Sequence, residues 1–221
     1  MIKKANYIVR FGCLALFIFL TLNTVFNFIE DDYTLTFTGI VNIGLAVLVT
    51  FIPKILEIFN IKISNTLYII SLISICISSV GGITLKWYVK TTYMDKVAHT
   101  YNGALLALLA FAFVKLRYEN NGIGMVDLII ASVIISLALG AFWEIYEFFV
   151  DGIVSGSNMQ RFRDVNDPLN LFVGREALMD TMMDLVVDTI GALIAAALLF
   201  ISNKRNKKFI NLISFEKVHK I

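Results

Sequence analysis

Cysteine, proline and charge are all scarce in this sequence. Cysteine and proline each occur twice in 221 residues, and Asp, Glu, Lys and Arg together make up 16%. Two cysteines, with no CxxC pair, exclude a secreted disulfide scaffold and a thiolate metal site. A charge content well below the roughly 25% of soluble domains excludes a disordered tail and a basic nucleic-acid module. The familiar catalytic signatures are missing too: there is no P-loop, no GxGxxG, no HExxH and no GxSxG elbow. Apolar residues are what the chain has in excess, at 58% with a mean hydropathy of +0.78.

That excess is arranged in runs long enough to cross a membrane. A hydrocarbon core of about 30 Å needs about 20 apolar helical residues. Six stretches qualify, at roughly 8–29, 34–52, 65–85, 96–114, 126–150 and 178–201. The pattern predicts an all-α polytopic membrane protein, with six transmembrane helices in one bundle and a single domain over 1–221. The first run is too long for a signal-peptide core and ends in Asn27-Phe28-Ile29-Glu30, so it reads as a retained span. An even number of spans puts both termini on one side. With that side cytoplasmic, 13 of the 19 basic residues lie inside, as the positive-inside rule requires. The expected home is the bacterial cytoplasmic membrane.

Smaller signals fit this layout. Trp87, Tyr88 and Tyr93 are placed for an outer aromatic belt. Residues 54–62, after Pro53, alternate charged and apolar side chains as a short surface helix would. Ser71, Ser74 and Ser78 recur at helical spacing before Gly81-Gly82, a stripe suited to close helix packing in lipid. Cys13 and Cys76 are expected to be buried free thiols.

The informative residues are ionisable groups in the last three spans. Asp95 and His99 are four apart on the fourth. Glu144 and Glu147 are three apart on the fifth. Asp180, Asp184 and Asp188 follow at intervals of four on the sixth. Such spacings put side chains on one helix face. The fourth and sixth spans start outside and the fifth ends there, so all three stripes fall in the outer half of the bilayer. At about 1.5 Å per residue, Asp188 lies about 16 Å below Ala177, near the midplane.

A carboxylate at the centre of a span costs about 2.5–3.5 kcal/mol. Six of them cannot share one pocket as bare anions, and Lys96 is the one base in the same helical stretch. Divalent metal or protons must supply the rest. Carboxylates with one imidazole and no thiolate favour Mg, Mn, Fe or Zn, a donor set like that of two-metal helix bundles. The metal ligands are expected to be His99, Glu147, Asp180, Asp184 and Asp188. Asp95 or Glu144 would then be the general base toward a metal-bound water. The 151–177 connection, with Arg161, Arg163 and Arg175, is expected to form an outer lid offering guanidinium groups to a phosphate.

Asp95-Lys96-Val97-Ala98-His99, Trp143-Glu144-Ile145-Tyr146-Glu147 and Asp180-Thr181-Met182-Met183-Asp184 together resemble the YjdF-like bacterial inner-membrane proteins. That family shows D-[KR]-x-x-H, E-x-x-E and D-T-x-x-D segments in the same order, and the resemblance covers about residues 85–200. Leu178 and Met179 stand where the family tends to carry a further Asp and a Trp. The first segment alone is also similar to the start of VanZ-type membrane proteins. The resemblance implies the site and its topology but no reaction.

Three functions stay open from the residues. The first is metal-dependent hydrolysis or transfer on a phosphate-containing lipid-linked substrate at the outer leaflet. The second is cation or proton transport through the same carboxylates. The third is a non-catalytic accessory role. Membrane lipid is the expected partner and nucleic acid is not.

Overall fold

A computed structural model describes residues 2–29, 33–91, 93–118, 122–154, 159–160 and 171–218. Helix α1 (Ile2–Ile29) and α2 (Tyr33–Ile58) form an antiparallel pair. A short strand β1 (Ile61–Ile63) leads to α3 (Asn65–Ile75), which widens into a π-helix at Cys76–Thr84. A single turn, α4 (Trp87–Lys90), precedes the three long helices α5 (Met94–Tyr118), α6 (Met125–Ile153) and α7 (Arg175–Lys204). The chain closes with α8 (Lys208–Leu212) and β2 (Phe215–Lys217). Six helical segments are long and apolar enough to span a membrane, matching the six runs read from the sequence. The last three helices extend a few residues past their apolar runs.

Side-chain polarity is inverted relative to a soluble protein. On α6, Ile145, Phe148 and Phe149 face outward, while Glu144 and Glu147 are buried. Outward apolar surface costs nothing in lipid, whereas a lipid-facing carboxylate does. The interior of the bundle is divided by polarity along its axis. One half is an apolar core in which Phe111, Leu199, Ala107 and Ala195 from α5 and α7 meet Leu67 of α3 and Ile210 and Ile213 of the tail.

The chain's small β-ribbon fixes which end is which. β1 and β2 pair antiparallel, Lys62 opposite Glu216. Ser64 caps α3 by accepting from the Leu67 amide and donates to the Leu212 carbonyl at 2.7 Å. The start of α3 and the end of α7 therefore share one end of the bundle. The N-terminus of α5, the C-terminus of α6 and the N-terminus of α7 lie at the other. Two three-residue strands of alternating polarity were too short to stand out from the helical pattern.

Three local expectations need correction. Residues 54–62 do not form a separate surface helix. α2 runs through Pro53 to Ile58 and then turns at Asn60, whose φ of 54° is left-handed, a conformation asparagine tolerates. Proline costs one hydrogen bond near a helix end, and α2 absorbs that loss in its last two turns. Cys76 is exposed, while Cys13 is buried as expected. Tyr88 turns inward, whereas Trp87 and Tyr93 expose 40% and 77% of their surface. Its ring occupies the space where a Gly82 side chain would be, as the Trp87 ring does over Gly81.

The serine stripe of α3 packs, as the sequence suggests. Ser74 donates to Asn102 of α5, which in turn donates to Ser78 at 3.2 Å. α5 and α7 cross even more closely, backbone against backbone. A Cβ on Gly191 would lie 1.9 Å from the Thr100 carbonyl oxygen, and one on Gly103 would lie 2.2 Å from that of Asp188. Gly191→Ala is expected to cost about 1–3 kcal/mol by forcing the helices apart, read as a lowered melting midpoint in detergent. Gly44→Ala, whose Cβ meets nothing within 4 Å, should leave the midpoint unchanged or slightly raised.

Candidate functional site

The crossing of α5 and α7 determines what sits beside it. With Gly103 and Gly191 pressed onto the opposite backbones, Asp184 and Asp188 face His99 one turn along α5. Gly140 of α6 leaves room for the Asp188 carboxylate: a Cβ there would sit 2.5 Å from its Oδ2. Three glycines, one per helix, thus open the space that the acidic stripes enter.

His99 is the centre of the cluster. Its Nδ1 lies 3.4 Å from Asp188 and 3.9 Å from Glu144, and its Nε2 lies 3.7 Å from Asp95 and 3.9 Å from Asp184. His99, Glu144, Asp184 and Asp188 each expose under a tenth of their surface. One ligand atom from each of Asp95, His99 and Asp184 lies within 4.8 Å of the others, close enough to hold one metal ion. Asp95, expected as a base, sits in the ligand group.

Lys96 does more than its sequence position suggested. Its ammonium lies 2.7 Å from both Asp180 and Asp184 and 3.0 Å from Asp95. A helical lysine adjacent to Asp95 looks like a rim charge; only the approach of α7 turns it into a three-way bridge. Asp180 shares that ammonium with Asp95 and Asp184 but lies outside the Asp95–His99–Asp184 group. Glu147 is buried and accepts from the Trp143 indole at 2.8 Å.

Glu144 differs from all of these. It exposes 4% of its surface, and neither carboxylate oxygen has a hydrogen-bond partner among the described residues. Buried polar groups are almost always satisfied, and an unpaired carboxylate is the costliest kind to leave bare. Charge accounting points the same way. Six carboxylates gather around one ammonium and one imidazole. With all of them ionised even a protonated His99 would leave the cluster negative, and protons or a cation must make up the difference.

Tyr88 also belongs here, which the sequence did not reveal. Lying outside the spans, it hydrogen-bonds Ser78. Burial, and then the charge of Asp95, push its phenol well above the usual range. It stays protonated as a donor at the mouth of the cluster. The signal was Gly81-Gly82, whose missing side chains admit the two rings.

The loop over this end is described in part. Asp151 accepts from the Met159 and Gln160 amides, and the Gln160 side chain donates to Thr181 of α7 at 2.8 Å. Arg175 is exposed at the start of α7. Arg161 and Arg163 lie outside the described residues. On the ribbon side the interior is dry: Ser132 and Ser136 donate to the Ile129 and Gly103 carbonyls, and Phe111 and Leu199 fill the space beyond.

Fold and site together define an integral membrane protein whose helical bundle carries an acidic cluster with one histidine at a single end. The chain belongs to the DUF2238 family of predicted membrane proteins, whose family model matches residues 11–205. The YjdF-like proteins are part of that family, so the resemblance read from the three acidic segments holds. A protein of Thermotoga maritima described as uncharacterized is 26% identical over 129 residues, which is 58% of this chain and 58% of its own length. No solved structure matches the chain.

If the ammonium is what keeps Asp95, Asp180 and Asp184 together, its removal should be severe. Lys96→Met is expected to lose up to about 3–5 kcal/mol, the cost of stranding buried carboxylates, seen as a drop in melting midpoint. Adding Asp180→Asn removes one stranded charge and should recover part of the loss.

Proposed function

We propose that this protein holds a divalent cation, one of Mg, Mn, Fe or Zn, between Asp95, His99 and Asp184, and uses it on a phosphate-containing lipid-linked substrate. Glu144 carries the proposal: a buried carboxylate with no hydrogen bond among the described residues, 3.9 Å from the His99 ring and amid other carboxylates, is what a nearby cation or a proton-accepting role would explain. Held by Asp95, His99 and Asp184, such a cation would offset the negative charge of the cluster and polarise a phosphate oxygen. Glu144 would take the proton from a water as its oxygen bonds phosphorus, and return that proton to the alcohol oxygen that leaves as the ester P–O bond breaks. The Tyr88 hydroxyl and the exposed Arg175, both at this end of the bundle, are donors that would meet phosphate oxygens. Asp188 holds the His99 ring in orientation, as outer partners of metal-bound histidines do.

The cluster's position fits this chemistry. With the termini in the cytoplasm of a bacterial inner membrane, as the distribution of basic residues favours, the mouth opens toward the outer leaflet, at the depth of lipid headgroups. A cation or proton carrier would need a polar route through the ribbon-side half, and the apolar packing of Phe111, Ala195 and Leu199 weighs against one.

Elemental analysis of the detergent-purified chain tests the proposal. About one divalent cation per chain is expected, with a melting midpoint that falls on chelation and returns on adding the metal. His99→Ala and Asp184→Asn should lower occupancy about tenfold or more, while Glu144→Gln should retain the cation. Absent metal, with a midpoint indifferent to chelator and to added cations, would overturn the reading.

A further inference from the structure

A second feature lies at the opposite end, far from the acidic cluster and independent of it. A cleft of about 980 Å³ opens between α1, α2 and α3. Its walls come from the first turns of the spanning part of α1 (Leu14, Phe17), the second half of α2 (Val47, Phe51) and the first turns of α3 (Ile69). These segments all belong to the ribbon end of the bundle, so the cleft occupies one leaflet. Its wall residues expose much of their surface, from 36% at Val47 to 56% at Leu14. An apolar cleft that opens sideways into hydrocarbon does not fill with water.

The mouth has a different chemistry. Lys54, Glu57, Lys62 and Asn65 line it, all at the ribbon end. Lys54 is paired with Glu57 at 3.1 Å, but the two side chains are 71% and 57% exposed, and such a pair is worth little and easily exchanged. Lys62 is exposed and has no ion pair among the described residues. An apolar slot sized for a large ligand, with two lysine ammoniums, one carboxylate and an amide at its lip, a net charge of about +1, matches one kind of occupant. Choline-bearing lipids carry their own counter-cation, so the lysines favour a headgroup with net negative charge.

We infer that the α1–α2–α3 cleft is a binding site for an anionic phospholipid, with an acyl chain between Leu14, Phe17, Val47 and Ile69 and its phosphate between Lys54 and Lys62. Basic pockets between transmembrane helices hold anionic headgroups in this way. The lipid adds to the seating of α1, whose described apolar contacts include a small cluster around Leu20, Ala46 and Ile75. The site binds lipid of the terminus-side leaflet and takes no part in the chemistry at the other end.

The full chain in detergent tests this with three probes: palmitoyl-oleoyl phosphatidylglycerol, phosphatidylcholine with the same chains, and soluble glycerol phosphate. Retained lipid is read by native mass spectrometry, and the melting midpoint is followed in parallel. Phosphatidylglycerol should be retained over phosphatidylcholine by about fivefold or more, the worth of one lysine near a headgroup, and should raise the midpoint. Glycerol phosphate should do neither. In Lys54→Gln/Lys62→Gln, whose changes are on exposed side chains, that preference should vanish while phosphatidylcholine binds as before. Val47→Trp, which fills the slot from an exposed position, should reduce retention of both. Equal retention of the two lipids by the unaltered chain would overturn the inference. So would an intact preference in the lysine variant, an equal response to glycerol phosphate, or a lipid-independent dimer that Val47→Trp dissociates.

Discussion

Negative charge inside a bilayer has to be answered from within the protein, because no water or salt is there to screen it. Each long helix at the acidic end carries carboxylates that lipid would reject, and each turns them toward the other two. The bundle's polarity follows from this: mostly apolar side chains outward along the described spans, charge inward at one end, apolar packing at the other. Lys96 supplies part of the answer by holding three carboxylates at once. Glu144, buried with neither carboxylate oxygen hydrogen-bonded among the described residues, marks where that answer falls short.

The geometry depends on residues that carry no chemistry. Gly103 and Gly191 bring the backbones of α5 and α7 together, and Gly140 leaves the space that Asp188 enters. Close approach through small residues is the usual way helices associate in lipid, where apolar burial offers no driving force. Here it also sets the distances around His99. The two functions of the crossing are inseparable: the contact that holds the helices together is the one that aligns the donor groups.

The spans and the acidic stripes were legible because each is a one-dimensional signal. A run of apolar residues declares its length, and Asp180, Asp184 and Asp188 declare a shared face by spacing alone. What escaped the sequence depends on which helix comes near. Lys96 sits beside Asp95 in the chain, but its bridge to Asp180 and Asp184 exists only because α7 lies against α5. Tyr88 looked like an interfacial anchor until Gly82 was seen to admit its ring. The ribbon between residues 61–63 and 215–217 pairs strands more than 150 residues apart, which no local pattern encodes. Pro53 suggested a break, yet a helix end tolerates the one bond it removes.

The account rests on side chains from α5, α6 and α7 converging on one cation. An experimental structure of the chain prepared with Mn²⁺, with an anomalous difference map, tests this most directly. The predicted result is a single peak about 2.0–2.6 Å from oxygens of Asp95 and Asp184 and a nitrogen of His99, with Glu144 turned toward it. A map with no peak among these residues, or with the carboxylates of the three helices directed away from one another, would contradict it.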